Sequence, residues 1–309
     1  MKFSRKTILI ASVLAVFQFT VFAHGSKESL ESTQSCITDG VGREVMLPAD
    51  ITKIVVTQPS DVEILYTLGV ENMIVGRGSY CDYPAATATI PDVGSGDTFS
   101  IEQVIALNPD VVIMGTMAQS LEQVQALEST GITVIATQAT DIEGVYTTIS
   151  LLGDVVGKKT EASALVKSMK EGFARIADKA KANADFTAGK TVYFEVSPLQ
   201  WGLWTAGSNT FMTELAHLCG IENSFIDING WASISEEQVL ARNPDFVVTI
   251  STYYGDGPTP IEEIVARTGW NTLQAVTNST VYNADANIIS RPGPRLVDAA
   301  NQLYTFFYE

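Results

Sequence analysis

Aromatic rings and arginines are the side chains of this sequence best suited to hold a ligand, and they gather in a few short segments. Tyr80 and Tyr83 follow a β-branched run ending at Gly76. Trp201 and Trp204 follow one ending at Val196, and Tyr253 and Tyr254 follow one ending at Ile250. Trp231 falls in a loop before a helical pattern, and Trp270 follows a Thr-Gly turn. Parallel α/β sheets bind ligands at the carboxyl ends of their strands. Rings at such ends, in both halves of the chain, suit a cleft that grips a large, partly apolar or ring-shaped ligand by stacking. For any single ring, packing into the local core is the plainer account. Arg291 and Arg295, in the segment SRPGPR at 290–295, offer donors for carboxylate or phosphate, or else form a solvated surface turn.

Catalysis has little support. There is no G-x-S-x-G elbow and no P-loop. Of the two histidines, His24 falls in a polar leader and His217 in a helical pattern at 210–218, where a solvated or satisfied role is expected. That is too little imidazole for a Ser-His-Asp triad or a histidine zinc site. Gly76-x-Gly78 follows a strand, but the third glycine of a dinucleotide fingerprint is missing. No catalytic residue, cofactor or metal is expected. The rivals are an exported hydrolase using Asp82 and Asp92, and a zinc or manganese carrier, which the scarcity of histidine opposes. Cys36, Cys81 and Cys219 leave at least one thiol unpaired within a monomer. One bridge is possible, or all three are small hydrophobes.

The elements that position these residues alternate. Strands are expected at 53–57, 73–76, 111–115 and 133–137, with helices at 61–68, 101–107, 121–129 and 142–155 between them. The alternation restarts at 191–196 and continues through 246–250 and 280–283. Strands spaced by helices imply βαβ units around parallel sheets, and their continuous apolar runs imply that both faces are covered. Between the halves, Ala162, Leu165, Val166, Met169, Phe173 and Ile176 recur at helical spacing. They predict one helix over about 160–182, roughly 35 Å long at 1.5 Å per residue, with Thr160 as its cap. The expected fold is α/β: two Rossmann-like lobes with mostly parallel sheets, joined by one long helix, with the ligand cleft between them. The lobes are placed at 36–157 and 184–309, the linking helix at 158–183.

Before them, Lys2, Arg5 and Lys6 precede an apolar run from Thr7 to Phe22, and Val21-Phe22-Ala23 fits a signal-peptidase site. Residues 1–23 read as a cleaved signal peptide and 24–35 as a disordered leader. No cysteine sits at the cleavage point, as a lipoprotein would require, so a periplasmic mature chain is expected. Its loss of three basic residues takes the net charge from −16 to −19. So acidic a chain is unsuited to nucleic acid.

An internal repeat is the strongest signal. Residues 102–113 (EQVIALNPDVVI) and 237–248 (EQVLARNPDFVV) match at eight of twelve positions, offset by 135. Each unit is a short helix begun by a serine, Ser100 or Ser235 (the latter taken with one extra residue). The helix is stopped before proline and followed by a buried strand. Glu102 and Glu237 sit in the first turns, which the helix dipole favours, and should point outward, because the valines and alanine define the buried face.

Taken together, Gly69-Val70 with Val75-Gly76, Ser79-Tyr80-Cys81-Asp82-Tyr83-Pro84, Pro91-Asp92-Val93-Gly94, both E-Q-V-x-A-x-N-P-D units, Trp204-Thr205-Ala206-Gly207 and Ser290–Arg295 form a pattern. With it the chain resembles the helical-backbone substrate-binding proteins of ABC importers for cobalamin, ferric siderophores and haem. The resemblance implies a monomer that hands its ligand to an ABC permease in the membrane, with Glu102 and Glu237 docking on permease arginines. It implies that Tyr80, Trp204 and Trp231 line a corrinoid cleft. Where haem binders place a ligating tyrosine and cobalamin binders a tryptophan, this sequence has Ser95. Cobalamin is the favoured cargo. A ferric siderophore is the alternative, with Arg77, Arg291 and Arg295 meeting an anionic chelate. Because the link is a helix, only small closure is expected.

Overall fold

The computed structural model describes residues 35–116 and 120–309. The signal segment, His24 and all but the last residue of the leader lie outside them. A hairpin that the sequence reading does not include comes first: β1 (Cys36–Thr38) pairs antiparallel with β2 (Glu44–Met46). Then β3 (Ile54–Val56), β4 (Ile74–Arg77), β5 (Val111–Gly115) and β6 (Thr133–Thr137) form a parallel sheet in the order β4-β3-β5-β6. The second sheet holds β7 (Thr191–Ser197), β8 (Trp204–Ala206), β9 (Glu222–Asn223), β10 (Trp231–Ser233), β11 (Phe246–Thr249) and β12 (Val281–Asn283). Its order is β10-β8-β7-β11-β12, with β9 also on β7. β7, β11 and β12 run parallel, whereas β8 and β10 turn back antiparallel.

Strand alternation assigns each sheet to two cores. In β3 and β5, Ile54, Val56, Val111 and Ile113 face one apolar cluster, and Val55, Val112 and Met114 face another. In β7 and β11, Val192, Phe194, Phe246 and Val248 face the first of these same clusters, and Tyr193 and Val247 face a third. One apolar core therefore runs from the first sheet to the second.

The long helix, Lys159–Ala182, lies along that core. Ala162, Met169, Phe173 and Ile176 are buried in it, as their spacing predicts. Gly172 allows a close crossing, since a Cβ there would meet the Val297 side chain of the C-terminal helix Leu296–Tyr308. The helix is thus packed onto both lobes along its length. Thr160 does not cap it. The preceding helix, Ile142–Val155, runs to within a few residues of it, and Lys158, whose side chain does not cap the helix, takes the cap position. Among the described residues no helix is long and apolar enough to cross a membrane.

The repeat folds as one device used twice. Ser100 and Ser235 cap their helices, accepting from the N–H of Gln103 (3.2 Å) and Gln238 (3.4 Å). No extra residue follows Ser235, so both caps share the offset of their glutamates. Asn108 and Asn243 end the helices in left-handed backbone, at φ 49° and 46°, a conformation asparagine tolerates better than most residues. The aspartate two residues later then staples the unit to a neighbouring strand. Asp110 accepts from the N–H of Thr52 and Lys53 (2.8 and 2.9 Å), and Asp245 from that of Thr191 (2.8 Å). Proline disfavours helix in the residue before it, but the side-chain staple sets where the next strand begins.

Candidate ligand-binding cleft

The segment after β4 is built to display two tyrosines. Gly78 starts it because a Cβ there would collide with the Thr57 carbonyl. The buried Ser95 hydroxyl accepts from the Ser79 N–H (2.9 Å), and the Ser79 hydroxyl donates to Asp92 (2.9 Å). Cys81 points inward and is fully buried, and burial pushes its thiol up to about 12. With Cys81 as anchor, Tyr80 and Tyr83 stand out, Tyr80 at 70% exposure. Ser95 therefore shapes the loop from beneath, with its side chain buried rather than displayed toward a ligand.

The same loop is held from the opposite lobe. Arg291 donates to Asp82 (2.7 Å) and to the Tyr80 carbonyl (3.3 Å), and the Arg295 guanidinium lies 4.0 Å from the Tyr83 ring centre. Both arginines converge on Glu63, which is 3% exposed on the helix Pro59–Thr67: Arg295 reaches it at 2.6 and 2.8 Å, Arg291 at 3.2 Å. Arg77 is likewise engaged, donating to the carbonyls of Thr87 and Gly78 (both 3.0 Å) and lying 3.5 Å from Asp92. Expected as ligand donors, these arginines instead each pair with a carboxylate and bond backbone carbonyls, with one nitrogen of each left outside those bonds. Glu63 is the residue the sequence reading missed. It sits in a helical pattern among apolar residues, and only its partners more than 200 positions away give it a role.

On the second lobe, Trp201 closes a short turn after β7 and is 77% exposed. Trp201, Tyr253, Tyr254, Pro198, Asp256 and Glu263 line a groove of 450 Å³ at the carboxyl ends of β7 and β11. Trp204 opens β8 as its exposed residue, while Thr205 and Ala206 turn inward. Trp231 is not in a loop. It begins β10 opposite Ala206 and packs on Phe211, ring centres 5.5 Å apart, which makes it a half-buried wall residue. Trp270 is fully buried and donates to Glu236 (2.8 Å). A larger hollow of 840 Å³ lies at the opposite end of β7, against Ala177, Ala180 and Thr191. It is shallow, and its position at a strand amino end makes it the weaker site by the rule for parallel sheets. His217 lies on its rim, exposed and 3.3 Å from Glu222.

Glu102 and Glu237 are both exposed, in the first turns of Ile101–Leu107 and Glu236–Arg242. The bond from Trp270 ties Glu236 inward and leaves Glu237 as the outward carboxylate. Ser235 holds Glu237 below the usual carboxylate range.

Beneath the cleft, Gln58, Asp61, Thr137 and Pro292 enclose a small space. Asp61 is buried, with one hydroxyl bond from Thr137 (2.6 Å), and burial raises its carboxyl to about 7. The unfolded chain gives up this proton near pH 4 and the folded chain near pH 7. Stability should therefore fall as pH rises through that window, by up to about 4 kcal/mol. Asp61→Asn mimics the neutral form. Its melting temperature should gain on that of the wild type between pH 5 and pH 8, and a constant difference would refute the assignment.

The profile described as periplasmic binding protein matches residues 54–288. The chain belongs to the periplasmic binding protein family. Among its relatives is the uncharacterized ABC transporter substrate-binding lipoprotein YvrC of Bacillus subtilis, 32% identical over 92% of this chain and 88% of that one. The vitamin B12-binding protein of Salmonella typhimurium is 27% identical over 81% and 88%. The fold is that of solved members: a periplasmic heme binding protein from Pseudomonas aeruginosa (25% identity, TM-score 0.76, 84% and 93% covered), and the vitamin B12 binding protein BtuF of Vibrio cholerae (22%, 0.68, 83% and 96%). As in other members of this periplasmic binding protein family, two α/β lobes flank the cleft. The three cysteines are free: Cys81 and Cys219 are buried, and Cys36 is exposed beside Glu44.

Proposed function

We propose that this periplasmic binding protein captures a cobalamin-like corrinoid between its lobes, without transforming it, and delivers it to an ABC permease. The observation that carries the reading is the set of exposed rings at strand ends on both lobes: Tyr80 and Tyr83 on one, Trp201, Trp204 and Tyr253 on the other. A corrin ring offers broad apolar faces to such walls. Relatives named as vitamin B12-binding proteins cover most of the chain and support it. The lobes are taken as 36–157 and 184–309 with the helix between, and Glu102 and Glu237 as the permease contacts. We also propose export with the signal peptide removed near Ala23. The Bacillus relative is named a lipoprotein, so the mass of the mature chain tests whether a lipid is attached.

Cyanocobalamin titration followed by tryptophan emission tests the cargo. Quenching should saturate at micromolar ligand or below. Trp201→Ala and Trp204→Ala should each weaken binding about five- to tenfold, the scale of one lost stacking partner. Absence of quenching rejects the corrinoid. A ferric chelate is the second reading, favoured by the 27% identity to a Staphylococcus epidermidis protein titled a possible iron-binding protein. The visible spectrum of protein purified from its native host separates corrinoid, haem and ferric chelate.

A further inference from the structure

We propose that Glu63 sets the charge selectivity of the cleft: by neutralising Arg291 and Arg295 it makes the site one for electroneutral ligands and closes it to anionic chelates. The inference deepens the corrinoid reading, since cyanocobalamin carries no net charge, and it rests on that reading for its choice of natural ligand.

Three arginines stand behind the displayed tyrosines, and three carboxylates stand with them. Glu63 takes Arg295 at 2.6 Å and Arg291 at 3.2 Å, Asp82 takes Arg291 at 2.7 Å, and Asp92 lies 3.5 Å from Arg77. Further donors go to the carbonyls of Tyr80, Ser79, Gly78, Thr87 and Asn287 and to the Asn287 side chain, and each guanidinium keeps one nitrogen outside these bonds. An anionic ligand would therefore meet guanidinium groups whose charge is already balanced by carboxylates in place. Glu63 is the member that cannot yield, because it is buried: without its arginines it would be a desolvated lone charge.

The second lobe gives an anion no better reception. The charged residues lining its groove are Asp256 and Glu263, both acidic. Arg267, the cation bound to Glu263, is buried between it and Glu195. Ferric catecholates and haem, with its two propionates, therefore meet rings and, among the described residues of this loop and groove, only cations already paired with carboxylates. The net charge of −16 adds a repulsive long-range field.

The test uses the full chain and two probes, cyanocobalamin and the trianionic ferric tris-catecholate, with wild type and Glu63→Gln. The amide keeps the shape and removes the charge, so Arg291 and Arg295 become available. The variant should bind the catecholate at least about tenfold more tightly than wild type, a gain that shrinks at high salt. Its cyanocobalamin affinity should stay within about threefold. Equal catecholate affinity in the two proteins, or none in either, overturns the proposal. If neither protein binds cyanocobalamin, the corrinoid reading fails while the catecholate comparison still decides the role of Glu63. Should Glu63→Gln lose its cooperative melt, Asp82→Asn serves. That carboxylate is more than half exposed, its loss frees only Arg291, and a smaller gain in the same direction is expected. No gain overturns the proposal.

Discussion

Reversing the charge at Glu102 and Glu237 together should abolish ligand uptake while leaving ligand affinity unchanged. Both carboxylates are exposed in the first turn of a seven-residue helix, each helix capped by a serine and stapled to its sheet by an aspartate. The same device thus presents one outward carboxylate on each lobe, and neither lies in the aromatic walls. A matched pair on a rigid body can set the orientation of a docked partner, and like-charge contacts at an interface cost several kcal/mol. Replacing each glutamate by lysine should cost at least about 1.4 kcal/mol per contact, so docking weakens by about a hundredfold or more in the double variant. The two sites share no partner, and the single variants should each show roughly half of that effect on a logarithmic scale. Uptake into cells or proteoliposomes carrying the permease measures docking, and tryptophan quenching measures binding. Persistent uptake by the double variant rejects the docking role. Loss of ligand affinity would mean that the substitutions act through the fold.

How far the sequence could be read depended on whether a feature was local. Helix and strand positions were legible because buried β-branched runs and three-to-four spacing are local: Val111–Gly115, Thr133–Thr137 and Ile142–Val155 fall where the pattern puts them. The repeat was legible because its helix, its Asn-Pro stop and the strand after it are contiguous in sequence, whereas the aspartate staples were not, since their partners lie more than 50 positions away. The strands β8, β9 and β10 were not legible. They are two or three residues long and owe their existence to pairing with β7 and with each other. That pairing is why Trp231 reads as a loop residue and is a strand residue packed on Phe211. The arginines show the same limit more sharply. Their chemistry was legible, but their occupancy was not, because Glu63 precedes Arg291 and Arg295 by more than 200 positions. Thr160 was misassigned for a different reason: the chain folds back so tightly after Ile142–Val155 that the helix begins before a threonine can cap it.

Truncating Arg267 should destabilise the protein by about 3–5 kcal/mol, the cost of leaving a buried carboxylate without its cation. Glu195 is fully buried in β7, and Arg267 clasps it through two nitrogens at 2.6 and 3.0 Å. Arg267 also binds Glu263 and lies 4.4 Å from the Trp270 ring centre. Tyr193 and Thr249 approach Glu195 only at 3.5 Å, too far to replace a bidentate guanidinium. Lysine brings a single point charge and cannot supply the fork, so Arg267→Lys should recover only part of the loss. Burial already holds the Glu195 carboxyl above its ordinary value against the pull of Arg267. Without that pull it rises further, and the folded variant keeps its proton where the unfolded chain gives it up. Stability of Arg267→Ala should then fall as pH rises from about 5 to 8, so its deficit relative to wild type widens with pH. The double variant Glu195→Gln with Arg267→Met should lose less than the two single losses combined, because no unpaired charge is left in the core and Glu263, which also loses its cation, is partly exposed to water. Thermal melts at pH 5 and pH 8 read all three. A deficit that does not change with pH would show that Arg267 acts by packing on Trp270 rather than by pairing Glu195. Because Glu263 bonds this same guanidinium and also lines the groove beside Trp201, the single truncation should also weaken cyanocobalamin binding, and the double variant, which removes the buried charge, should recover part of it by keeping the groove floor packed.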